Sequence, residues 1–88
     1  MTKEEALQII KDEGLIEYNW FEDHKNGSDE VGIKKAGDKW EVYTTDERAW
    51  ASPESVWKYD SESEALEDFI DRLRAGKRWR EYHKINFG

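Results

Sequence analysis

SESEALEDFIDRLR, residues 61–74, sets four apolar side chains, Leu66, Phe69, Ile70 and Leu73, at i, i+3, i+4 and i+7. That spacing is one stripe of an α-helix, and a stripe of four large side chains has to be buried against another element. Ser61 precedes the run and Glu64 lies three residues on, the capping-box pattern that satisfies orphan N–H groups in a first turn. Gly76 stands where such a helix would stop. Glu64, Glu67, Asp68 and Asp71 repeat the same spacing on the opposite side, so the helix is apolar inward and acidic outward.

The surface that receives the stripe is written upstream. Glu30 to Lys34 alternates, with Val31 and Ile33 on one face; Lys39 to Thr44 alternates, with Trp40 and Val42 on one face and Tyr43 on the other. Ala36-Gly37-Asp38 makes a tight turn between these two strands. Before them, Leu15 to Phe21 carries Tyr18, Trp20 and Phe21 and favours a strand, ended by the polar run Glu22 to Asp29 with the turn dipeptide Asn26-Gly27. After them, Ser52-Pro53 is loop because proline cannot donate to a ladder, and Ser55 to Tyr59 supplies a last strand.

At the start of the chain Thr2 and Glu5 form a second capping box, Gly14 closes that helix, and Ala6, Ile9 and Ile10 give it an apolar stripe with Leu7 alongside. The expected architecture is α+β: an N-terminal helix, an antiparallel meander of three to four strands, and a C-terminal helix packed on one sheet face. Residues 1–88 make a single domain with its core in about residues 2–76. Residues 77–88 form a basic aromatic tail, in which Trp79 and Tyr82 suit either a continued helix or a strap packed back on the body.

Composition narrows the function. The chain has 88 residues, no cysteine, five Trp and a net charge of −7. The missing cysteines exclude a disulfide framework, thiolate metal sites and a Cys nucleophile. The acidic start, Met1-Thr2-Lys3-Glu4-Glu5, is no apolar leader and no segment approaches a membrane span, so a cytoplasmic protein without a membrane partner is expected, leaderless export staying open. Residues 1–76 carry 10 Lys/Arg against 20 Asp/Glu, a balance of −10, whereas residues 77–88 carry 4 against 1, a balance of +3. An acidic body repels nucleic-acid phosphates and favours a basic protein partner. The tail interleaves aromatics with cations as a nucleic-acid contact does, but contact with the acidic body suits it better.

No catalytic residue, cofactor or metal is expected. His24 and His83 have no nucleophile pattern beside them and read as ordinary surface histidines. Carboxylates are so numerous that no pair stands out. Glu22 to Gly27 fails as a calcium loop, because His24 replaces a ligand at position three and Ile33 takes the place of the position-twelve glutamate. The candidate surfaces are instead those of a binder. Trp40 to Trp50, WEVYTTDERAW, is dense in aromatics and charge. Asp46, Glu47, Trp50 and Trp57 around the Ser52-Pro53 loop suit a protein-interface hot spot, while Arg48 beside Asp46 and Glu47 also suits ion pairs that lock the strand end. The acids Glu64, Glu67, Asp68 and Asp71 are either a solvated helix face or a docking surface for a basic partner, in which case reversing Glu67 and Asp68 to lysine should slow association.

Together TKEEALQIIKDEGL, EVGI at Glu30 to Ile33, WEVYTTDERA at Trp40 to Ala49 and SESEALEDFIDRLR resemble small bacterial immunity proteins, with the immunity protein 59 family the nearest match. The likeness spans about residues 2–75. It implies a protein that binds and neutralises a cognate toxin delivered between bacterial cells. No interface position is carried over, and the tail from Lys77 falls outside the pattern. A general interaction or regulatory module, and a nucleic-acid binder using the tail, are the alternative functions.

Overall fold

A computed structural model describes the backbone of residues 1–87 and the side chains of residues 1–84. The elements are α1 (Lys3–Glu13), β1 (Tyr18–Trp20), β2 (Val31–Ala36), β3 (Lys39–Thr44), β4 (Trp57–Tyr59) and α2 (Glu62–Phe87). Both helices start at the expected caps. Thr2 Oγ1 accepts from the Glu5 N–H while Glu5 reaches back to the Thr2 N–H. Ser61 Oγ accepts from the Glu64 N–H and donates to its carboxylate. Gly14, at φ +63°, turns the chain out of α1, and the Leu15 N–H closes the cap on the Ile10 carbonyl.

Four strands form one sheet in the order β1-β2-β3-β4. β2 and β3 are an antiparallel hairpin joined by Gly37-Asp38, with Gly37 at φ +66°, and β3 pairs antiparallel with β4. Leu66, Phe69, Ile70 and Leu73 of α2 are all buried and meet Val31, Ile33 and Val42 of the sheet, with Ala6 and Ile10 of α1 closing the side. Phe69 sits at the centre, its ring 6.2 Å from that of Tyr18 and 5.8 Å from that of Trp20.

The sheet is mixed, which corrects the all-antiparallel expectation: β1 and β2 run parallel, Tyr18 opposite Val31 and Trp20 opposite Ile33. Residues 21–30 therefore do not make a hairpin at Asn26-Gly27. They carry the chain back to the starting end of β1 before β2 begins. Ten residues is short for a parallel connection. Positive φ at Phe21 (48°), Glu22 (58°) and Asp29 (53°) turns the chain tightly enough. The returning loop also covers the sheet face turned away from α2. There Asn19 Nδ2 donates to the His24 carbonyl and Asn26 Oδ1, each at 2.9 Å, and the Tyr43 hydroxyl donates to Asn26 Oδ1 at 2.9 Å. Thr45 Oγ1 donates to the Gly27 carbonyl and accepts from the Glu30 N–H.

Gly76 does not end α2, the second correction; the helix continues to Phe87. Its second half is held against the α1–β1 connection. Arg74 grips Glu13 through two hydrogen bonds of 2.9 and 2.6 Å, Lys77 donates to the Glu13 carbonyl, and Arg80 lies 3.5 Å from Glu17. The basic tail thus meets the acidic body. A Cβ at Gly76 would meet only the flexible Arg80 guanidinium, at an ordinary 3.5 Å. Gly76→Ala is therefore expected to stabilise the protein by about 0.5–1 kcal/mol, through lower backbone entropy in the unfolded chain. Urea unfolding measures it as a higher midpoint at unchanged slope.

Candidate functional site

The β3–β4 end gathers the aromatic candidates. Trp57 lies opposite Val42, while Trp50 lies opposite Asp46, whose N–H donates to the Trp50 carbonyl at 2.9 Å. The four residues from Val42 to Asp46, through the end of β3, set the two backbone positions roughly 13 Å apart. Trp50 is 73% exposed and Trp57 60%. Beside Trp50 lies an open depression of about 540 Å³ lined by Asp46, Arg48, Trp50, Ser52, Pro53 and Glu54. Glu54 was not singled out from sequence; the Ser52 hydroxyl beside it holds its carboxyl below the usual carboxylate range.

The strand end is locked, but by Asp46 and the backbone rather than by the expected Arg48 ion pairs. Asp46 Oδ1 accepts from the N–H groups of Arg48 (2.8 Å) and Trp50 (3.0 Å), and Ala49 takes φ +67° to close the turn. Asp46 therefore fixes the backbone from which Trp50 projects. Glu47 and Arg48 are exposed.

The helix acids separate by role. Asp68 is half-buried, accepting from the Tyr59 hydroxyl at 2.8 Å and from Arg72 Nε at 3.1 Å. Burial, with the Asp68 carboxylate next, pushes the Tyr59 hydroxyl up to about 12. Reversing Asp68 would cut this tie between β4 and α2, so charge reversal there reads stability as well as binding. Glu67 lies on the other flank, 3.4 Å from the Met1 amino group. Glu64 and Asp71 are exposed on the outer face.

His24 has a role that its loop position hid. Its Nδ1 is 2.8 Å from Asp23 Oδ1 and its Nε2 2.9 Å from Glu30 Oε2, and only an imidazolium can donate at both ends. The hydrogen bond to Glu30, reinforced by Asp23, raises the His24 pKa above its usual 6.5. A raised folded-state value means the clasp stabilises fully below the unfolded pKa and is lost as pH rises through the folded one. Wild type should lose stability relative to His24→Gln as the pH rises above about 6.5, and denaturation at each pH measures the difference.

The larger of the two concavities, about 750 Å³, lies between the second half of α2, the residues just before β1 and β2, and Thr44 at the end of β3. Arg72 and Arg80 there are balanced by Glu17 and Asp29, so it selects neither sign of ligand. Among the described residues no three His, Asp or Glu side chains converge as metal ligands, and no helix is long and apolar enough to cross a membrane. Comparison of the chain with protein-family models, curated proteins and solved structures finds no match.

Proposed function

We propose that the protein is an immunity-type inhibitor that binds a cognate bacterial toxin one to one and blocks it by occlusion, without catalysis or cofactor. The observation that carries this reading is the pair of exposed tryptophans, Trp50 and Trp57, on one sheet edge among carboxylates. Large rigid aromatics are the commonest hot-spot anchors, and around them the carboxylates Asp46, Glu47 and Glu54 outnumber the cations Arg48 and Lys58. The rest of the body adds to this negative excess, so the field favours a toxin with a basic, substrate-facing surface and speeds the encounter. The likeness to the immunity protein 59 family supports reading that partner as a toxin. Lys77 and Arg80 are already engaged with Glu13 and Glu17, which weighs against the nucleic-acid alternative.

Co-expression with the toxic domain encoded immediately upstream tests the proposal, scored by growth rescue together with 1:1 co-purification. Rescue with a stable complex is the expected result; absence of both across the neighbouring toxin candidates overturns it. Trp50→Ala and Trp57→Ala should each weaken the complex by about 30-fold or more, the scale of a hot-spot truncation. Both side chains are exposed, so thermal midpoints should stay within a few degrees of wild type. Equal affinity in both variants would take the interface off this edge.

A further inference from the structure

We infer that α2 also carries a self-association surface, on which a second copy of this chain packs antiparallel. Positions 64, 68, 71, 75, 78 and 82 recur at spacings of four and three and so form one continuous line on the helix. It is the line opposite the buried stripe of Leu66, Phe69, Ile70 and Leu73. Read along the helix it runs Glu64, Asp68, Asp71, Ala75, Arg78, Tyr82. All but Asp68, which is half-buried, are exposed, and Trp79, next to the line, is 62% exposed with Tyr82 at 61%. The line is thus acidic in its first half, basic and aromatic in its second, with a small residue between.

Such a surface is its own complement when turned by a two-fold axis, the condition for an isologous dimer. With the axis near Ala75, Asp71 of each copy faces Arg78 of the other, twice over. Ala75 lets the helices approach closely, and Trp79 and Tyr82 lie over the acidic half of the opposite helix. The helix macrodipole accounts for acids preceding bases. It does not account for the exposure of two large aromatics, Tyr82 on the line and Trp79 beside it. At about 39 Å for 26 residues, α2 nearly spans the molecule's longest dimension of 44 Å, and its outer line is exposed at residues 64, 71, 75, 78 and 82. Crossing helices bury on the order of 1,000 Å², at the low end for specific interfaces, so the expected association is weak, on the order of 100 µM. The aromatic edge of β3–β4 is a different surface, so toxin binding and self-association stand or fall separately.

Sedimentation of the full chain from about 10 µM to about 1 mM, at physiological salt to screen the net repulsion, tests this. The weight-average mass should rise from 10.5 kDa toward twice that value. Asp71→Arg and Arg78→Asp should each weaken association about tenfold or more, because each sets like charges opposite one another. Mixing the two variants should restore association, since one copy then carries a cation at both positions and the other a carboxylate, and opposite charges meet at both contacts across the axis. Unchanged far-ultraviolet circular dichroism of both variants keeps loss of folding apart from loss of contact. A wild type that stays at monomer mass throughout, or single variants that associate like wild type, overturns the proposal. So does failure of the mixture to associate.

Discussion

Phe69→Ala should lower stability by about 3–5 kcal/mol, close to the whole of what a domain of this size possesses. Phe69 is fully buried and is the side chain on which the two halves of the chain meet. Tyr18 stands edge-on to it at 86°, and Trp20 is tilted at 56°. β1 owes its place to these rings. It has only three residues, pairs with a single neighbour and is followed by a loop with positive φ at its first two residues. Removing the ring opens a cavity that a short edge strand collapses into poorly, so transfer and cavity costs both apply. The variant should unfold about 15 °C or more below wild type, with loss of near-ultraviolet tryptophan ellipticity as Trp20 loosens. Phe69→Leu fills most of the space and should cost only about 1–2 kcal/mol. A Phe69→Ala midpoint within a few degrees of wild type would mean that β1 is not held by this ring.

The sequence signals that succeeded are those carried by a few adjacent residues. Thr2 with Glu5, Ser61 with Glu64, and Gly14 each complete a cap within one turn, and the α2 stripe and the bounds of β3 follow from periodicity alone. The parallel pairing of β1 with β2 depends on where residues 21–30 lead the chain. That path rests on positive φ at Phe21, Glu22 and Asp29, none of them glycine, and no turn code marks them. Gly76 misled for the opposite reason: the glycine is real but α2 continues, because Arg74, Lys77 and Arg80 find acceptors on α1 and the connection to β1. In the candidate site, composition picked out Trp50 and Trp57, but their exposure follows from their lying at the sheet edge and in the loop before it. The part of Asp46 in fixing the backbone at Trp50 is one that charge counting cannot reach. The His24 clasp needs Glu30, six residues away, and so stays hidden until the loop is folded.

Gly32→Ala should destabilise the protein by about 3 kcal/mol, although the strand is a place where alanine ordinarily serves better than glycine. Gly32 pairs directly across the sheet with Tyr43, whose ring lies over it. A Cβ there would overlap Tyr43 Cζ and the hydroxyl oxygen, far inside van der Waals contact. The clash falls on the far end of the ring, which could swing aside if it were free. It is not free: Tyr43 is buried beneath residues 21–30, and its hydroxyl donates to Asn26 Oδ1, the acceptor that Asn19 also uses. Displacing the ring therefore breaks the network that holds the loop over the sheet, and a buried donor loses its partner. A double-mutant cycle separates this cause from any other. In a Tyr43→Ala background the same glycine-to-alanine change meets no ring and should be neutral or stabilising by about 0.5 kcal/mol, a coupling of roughly 3 kcal/mol between directly contacting residues. Gly32→Ala should also flatten the pH dependence contributed by His24, because the clasp to Glu30 is part of the same loop. Full additivity in the cycle would mean that Tyr43 does not lie on Gly32, and that the second face of the sheet is closed in some other way.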